Sequence, residues 1–202
     1  MWHQPWDGLL IKGWSQQPNL LIRRPFPPRA TPSRVSGFVQ SHDSGFCRNA
    51  LWVSAEVGGT VSIFDVATQA ELAKISFALP NIRPEKLQPV GMRFSPDGAR
   101  VFVALGPADH IAVVDVATRA VTDYILVGRR VWHLAFSPDN TKLFTTNGVS
   151  GDVTVIDVAS LTPVKTIKVG RFPWGASARP TGRWAVTASA IWRPTGIMGC
   201  RL

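Results

Sequence analysis

The sequence predicts an all-β protein built from a repeated four-stranded unit, and three observations carry that prediction. First, a turn recurs at a fixed interval: Ser95-Pro96-Asp97-Gly98 returns 42 residues later as Ser137-Pro138-Asp139-Asn140, and after 42 more as Arg179-Pro180-Thr181-Gly182. Second, Asp115-Val116-Ala117-Thr118 returns at that spacing as Asp157-Val158-Ala159-Ser160, with an earlier copy at Asp65-Val66-Ala67-Thr68. Third, each of these aspartates ends a β-branched run: Val61-Ser62-Ile63-Phe64, Ile111-Ala112-Val113-Val114 and Val153-Thr154-Val155-Ile156. A period of roughly 40–45 residues made of short strands is the mark of propeller blades. The expected architecture is therefore a partial β-propeller of about three four-stranded blades, WD40-like in its repeat, between irregular flanks.

The elements follow in chain order. The first unit offers strands near 51–55, 60–66 and 70–78, with no recognisable opening strand. The second offers 89–95, 100–105, 110–116 and 120–127, and the third 131–137, 142–147, 152–158 and 162–169. A further pair, 173–178 and 184–189, begins a fourth unit that stops. In Ser-Pro-Asp-Gly the proline presets φ at the first central turn position and the glycine supplies a left-handed residue, a role Asn140 also tolerates. Each repeated Asp is placed to accept backbone N–H groups two or three residues on, closing the next turn.

Composition narrows the function classes. The 202 residues are 45% hydrophobic and 17% charged, enough to bury a core. No stretch approaches the roughly 18 consecutive apolar residues of a membrane span. The only cysteines are Cys47 and Cys200, which make no disulfide framework. The net charge of +9 looks like a nucleic-acid signal until it is located. Residues 51–170 carry 11 basic and 11 acidic side chains, whereas 1–50 carry six and two, and 171–202 carry five arginines and no acid. The excess lies in the flanks. Three segments are expected: 1–50 irregular, 51–178 repeats, and 179–202 an irregular basic tail. Arg, Pro and Trp enrichment on both sides of a clean repeat suggests flanks read out of frame, or a truncated gene. The start also lacks the order of a signal peptide.

The pattern of an apolar strand, a short turn, Val-x-Ile/Val-x-Asp-x-Ala-Thr, Val-Gly-Arg and Ser-Pro-Asp-Gly resembles the YVTN-type β-propeller repeat family. Residues 51 to about 175 resemble most closely the PQQ-dependent catabolism-associated β-propeller proteins. The stretches that carry this are Asn81-Ile82-Arg83-Pro84-Glu85-Lys86, Arg93-Phe94-Ser95-Pro96-Asp97-Gly98, and Val169-Gly170-Arg171-Phe172-Pro173-Trp174-Gly175. The resemblance implies a non-catalytic binding or scaffold module in the bacterial periplasm, assisting PQQ-dependent alcohol oxidation. It does not imply that this chain binds PQQ, and no cofactor is expected. The alternatives are a propeller lactonase-type enzyme and a DNA-binding propeller. The neutral repeat core argues against the second, because backbone affinity rests on neutralising phosphates.

Catalytic motifs for haem, zinc, phosphate or an acyl nucleophile are absent from the sequence. Candidate contacts remain. His133 follows Trp132 on an expected innermost strand; it reads first as a wall-lining histidine, second as a ligand or metal contact. Arg93 is the other channel-side candidate, while His110 is expected to be solvated. The loop from Asn81 to Gln88 carries Arg83, Glu85 and Lys86 between Pro80, Pro84 and Pro89. It reads either as a tolerated insertion with a solvated Glu/Lys pair or as a stiffened contact loop on a rigid scaffold. Trp132 and Trp174, 42 residues apart, read as packing between blades before they read as a stacking platform. The expected partner is a protein or small ligand at a propeller face. Exposed blade edges also favour self-association.

Overall fold

Turn chemistry sets the blade boundaries. Asp65 Oδ1 accepts the Thr68 N–H at 2.7 Å and its hydroxyl at 2.8 Å, and Asp115 does the same with Thr118. Asp157 repeats the arrangement with Ser160. The residue after each motif, Gln69, Arg119 or Leu161, takes a left-handed φ near 60°. In the other turn, Gly98 N–H bonds Ser95 C=O and Asn140 N–H bonds Ser137 C=O, with both φ values left-handed. The serine hydroxyl also accepts the N–H of Arg100 or Lys142, both at 2.9 Å, and donates to Asp97 or Asp139.

The computed structural model describes residues 49–178, with the strand backbones Ser44–Cys47, Trp184–Ala188 and Met198–Cys200. It is a partial β-propeller. The first blade is β1 (Ser44–Cys47), β2 (Ala50–Ala55), β3 (Thr60–Asp65) and β4 (Glu71–Ser76). The second is β5 (Met92–Phe94), β6 (Arg100–Ala104), β7 (His110–Asp115) and β8 (Val121–Leu126). The third is β9 (Val131–Phe136), β10 (Lys142–Asn147), β11 (Asp152–Asp157) and β12 (Thr162–Lys168). A three-stranded sheet follows: β13 (Pro173–Ala178), β14 (Trp184–Ala188) and β15 (Met198–Cys200). Every pairing is antiparallel between sequence neighbours. The outer hairpin of each four-stranded blade shifts register at one equivalent place, Ile63/Phe64, Val113/Val114 and Val155/Ile156.

Three expectations are corrected. The first blade does have an opening strand, β1, although Ser-Gly-Phe-Cys lacks the β-branched pattern that marks the others. The fourth unit does not stop at two strands, because β15 pairs with β14 through Ala185 opposite Gly199. His110 is half-buried rather than solvated, its Nδ1 2.6 Å from the Ala108 carbonyl oxygen. The rest of the two basic flanks lies outside the described residues.

Alternation along the strands sends side chains to opposite faces of each blade. Val101 and Val103 turn towards the first blade, joining Trp52, Val61, Ile63 and Met92. Phe102 and Ala104 turn towards the third, joining Leu134, Leu143 and Ile156. Phe144, Val153 and Val155 cover the far side of the third blade. The core is thus a series of layers between consecutive sheets. Antiparallel connectivity also gives the propeller two distinct ends. The Ser-Pro-Asp and Asp-Val-Ala turns share one end, here the turn face. The loops between second and third strands and the links between blades share the other, the connector face.

Hydrogen bonds in the turns hold Asp65, Asp97, Asp115, Asp139 and Asp157 below the ordinary carboxylate value. For Asp157 the leading cause is the Lys142 ammonium, followed by the Ser160 N–H. A depressed folded-state pKa gives stability that is complete above the unfolded-state value of 3.8 and is lost as pH falls through the folded value. The thermal midpoint is therefore expected to hold steady above about pH 5 and to fall steeply between about pH 4 and pH 2. Asp157→Asn should make that fall shallower in thermal scans across the same range.

Candidate functional site

The loop before the second blade is built from inside outwards. Leu87 and Val90 are buried, and Ile82 and Leu79 pack against the first core layer. Pro84–Lys86 makes a single 3-10 turn, closed by the Leu87 N–H to the Pro84 carbonyl at 3.0 Å. Gln88 Nε2 donates to the Glu85 carbonyl at 3.0 Å, and the buried Ser54 hydroxyl donates to the Val90 carbonyl at 2.8 Å. Arg83, Glu85 and Lys86 stand exposed on this frame. Glu85 and Lys86 both point to solvent, as in the reading of a tolerated insertion with a solvated Glu/Lys pair.

A second group gathers where inner strands meet. Arg93 Nη2 on β5 lies 2.7 Å from His133 Nε2 on β9, and Arg93 Nη1 donates to its neighbour's carbonyl, that of Met92, at 2.8 Å. A guanidinium can only donate, so Nε2 accepts and the neutral ring carries its proton on Nδ1. The Ala176 N–H of β13 faces Nδ1 at 3.5 Å; with the ring proton on Nδ1 two donors meet there, so this is a close approach and not a hydrogen bond. His133 thus spans three successive sheets. The arrangement orients the ring more than it readies it as a base, because the acceptor nitrogen is occupied.

Trp132 and Trp174 meet with ring centroids 4.6 Å apart and planes tilted at 49°. Thr146 Oγ1 donates to the Trp174 carbonyl at 3.0 Å, and Gly148 lies so close beneath Trp132 that a Cβ there would overlap its ring. The pair therefore packs the third sheet on the fourth. Even so, Trp174 remains 44% exposed. Loop and tryptophans belong to different junctions, the first to blades one and two, the second to blades three and four. Among the described residues no group of three His, Cys, Asp or Glu side chains comes together as a metal site. No described helix is long and apolar enough to cross a membrane.

A buried polar network escaped the sequence reading. Asn147 Nδ2 donates to Asp152 Oδ1 at 2.8 Å and to Thr154 Oγ1 at 2.9 Å, while Asn147 Oδ1 accepts from Thr145. Ser150 Oγ and Lys168 Nζ also donate to Asp152, at 2.9 and 3.0 Å. Burial is the largest single influence on the Asp152 carboxyl and pushes it up. The donors Asn147, Lys168 and Ser150 together prevail and hold it below its ordinary value. Gly128 passes over this network so closely that a Cβ there would overlap Asn147 and Asp152. Every buried side-chain polar atom among the described residues has a hydrogen-bond partner, and the network reads as structural.

No protein-family model matches the sequence, and no curated protein matches it. Among solved structures the chain is similar to Kuenenia stuttgartiensis hydrazine synthase, with a TM-score of 0.62 and 22% identity over 71% of this chain. The match covers 40% of that structure's chain, so the present sequence spans about two fifths of its length. At that identity the likeness is one of fold, and the fold is the propeller described above.

Proposed function

We propose that the chain is a non-catalytic propeller module that binds a protein partner through the Asn81–Gln88 loop. The observation behind this reading is that Arg83, Glu85 and Lys86 stand exposed on a loop stiffened by three prolines and pinned by buried Leu87. A loop already ordered loses little entropy on binding, and its charged heads supply orientation and specificity. The resemblance of the repeats to the YVTN type and to PQQ-dependent catabolism-associated propellers supplies the setting. In that setting the partner is a PQQ-dependent alcohol dehydrogenase of the bacterial periplasm, and the quinone stays with the partner.

The test is co-sedimentation of the purified chain with such a dehydrogenase. Binding is expected, and Arg83→Ser with Lys86→Ser should weaken it about tenfold, the effect of about 1.4 kcal/mol. Equal binding by the variant would remove the loop from the interface. Absence of binding would overturn the partner. The Arg93–His133 contact is the one feature that favours a second reading, a lactonase-type enzyme. Lactone hydrolysis lost in His133→Gln would establish that reading instead.

A further inference from the structure

Two features at opposite ends of the propeller remain unexplained by the loop. On the connector face, Val149, Phe172 and Trp174 are 48%, 47% and 44% exposed. Arg171 lies over the Phe172 ring, 5.8 Å from its centroid, and the exposed Arg129 occupies the same repeat position one blade earlier. Phe172 holds φ at +51°, a region bulky residues rarely adopt. The repeat demands that backbone, since Arg130 has φ of +55° at the equivalent place. A large apolar ring is thus held outwards, at a conformational cost that glycine would remove.

On the turn face, a groove of about 440 Å³ opens between the first and second blades. Its apolar surface comes from Leu72 and Val116, backed by the buried Trp52 and Ile63. Among the described residues Asp65, Asp97 and Asp115 border it, against one cation, Arg119, whose Nη1 donates to the Leu72 carbonyl at 3.2 Å. All three carboxylates are stabilised in their ionised form by turn hydrogen bonds. The groove is apolar below and anionic at the rim; the projection is aromatic with a cationic rim.

We propose that these surfaces fit each other between two copies of the chain, the Phe172–Trp174 projection of one seated in the blade-one/blade-two groove of the next. The contact is head-to-tail and heterologous. Each copy keeps one projection and one groove free for further copies, so assembly continues into open chains. Complementary charge at the rims makes the assembly weaken as salt rises. The inference is independent of the partner assigned to Arg83, Glu85 and Lys86.

Sedimentation velocity on the full chain and two variants tests it. The projection variant carries Phe172→Gly and Val149→Ser; the groove variant carries Leu72→Arg and Ala117→Arg. All four positions are exposed, and Phe172→Gly relieves the left-handed backbone, so folding is expected to survive, with circular dichroism as the check. The unaltered chain should grow with concentration, and each variant alone should remain monomeric. A mixture of the variants should stop at a one-to-one dimer, because one intact projection meets one intact groove. Variants that assemble like the unaltered chain, or a mixture that stays monomeric, would overturn the proposal.

Discussion

Replacing Phe102 by alanine is expected to destabilise the protein by about 3–5 kcal/mol, the range for emptying a fully buried aromatic site. Phe102 has no exposed surface and lies in the layer between the second and third blades, with Leu134, Leu143 and Ile156. Its ring meets Phe136 edge-on at 5.7 Å. Backbone strands close over the site on both sides, so collapse into the cavity is limited. Domains of this size are stable by only about 5–15 kcal/mol, so a loss of that size is a large part of the total. Urea titration measures it. Leu126→Ala, at a residue 61% exposed, should change stability by no more than about 0.5 kcal/mol. Equal effects at the two positions would mean that the layers do not pack as described.

The buried network of the third blade should be nearly as sensitive, and its response is non-additive. Asp152→His removes the carboxylate that accepts from Asn147, Ser150 and Lys168 and is expected to cost about 2–3 kcal/mol, as is Asn147→Leu. Each leaves a buried polar group without its partner. The second blade carries Leu105 and His110 at the equivalent places, so Asn147→Leu with Asp152→His rebuilds a junction the fold already tolerates. The double variant should lose at least about 1 kcal/mol less than the two single costs combined. A denaturation double-mutant cycle reads that coupling, and simple additivity would show that the two side chains do not act together.

The repeat and its turns were open to sequence reasoning because they rest on local chemistry. Pro96, Asp97 and Gly98 act within four residues, and Asp115 with Thr118 needs no distant partner. The third blade was read almost to its ends for the same reason. The network was not, since Thr145 and Asn147 are polar where the preceding blade has Val103 and Leu105, and Asp152 stands where that blade has His110. Polarity in a repeat with a solvated end reads as surface. Only the passage of Gly128 above it makes that surface interior. The Arg93–His133 contact was hidden differently. The two are 40 residues apart, not one repeat, because Gly91 is the equivalent of His133. A Cβ at Gly91 would overlap the Trp132 carbonyl oxygen and crowd the His133 backbone, so its absence lets the neighbouring inner strand come close. Such staggered contacts depend on how blades lean together, which a period does not encode. The left-handed φ of Phe172 and Arg130 was equally silent, because neither residue type advertises that conformation.

Hydrogen exchange read by mass spectrometry on the purified chain tests the central claim, that these residues form consecutive propeller blades around layered cores. The inner hairpins β6–β7 and β10–β11, paired on both sides and buried between sheets, should be the slowest segments to exchange. The outer strands β4, β8 and β12, each an edge of its sheet, should exchange faster, in the same order in every blade. Exchange that is equally fast in inner hairpins and outer strands, or protection that ignores the 42-residue repeat, would contradict the propeller.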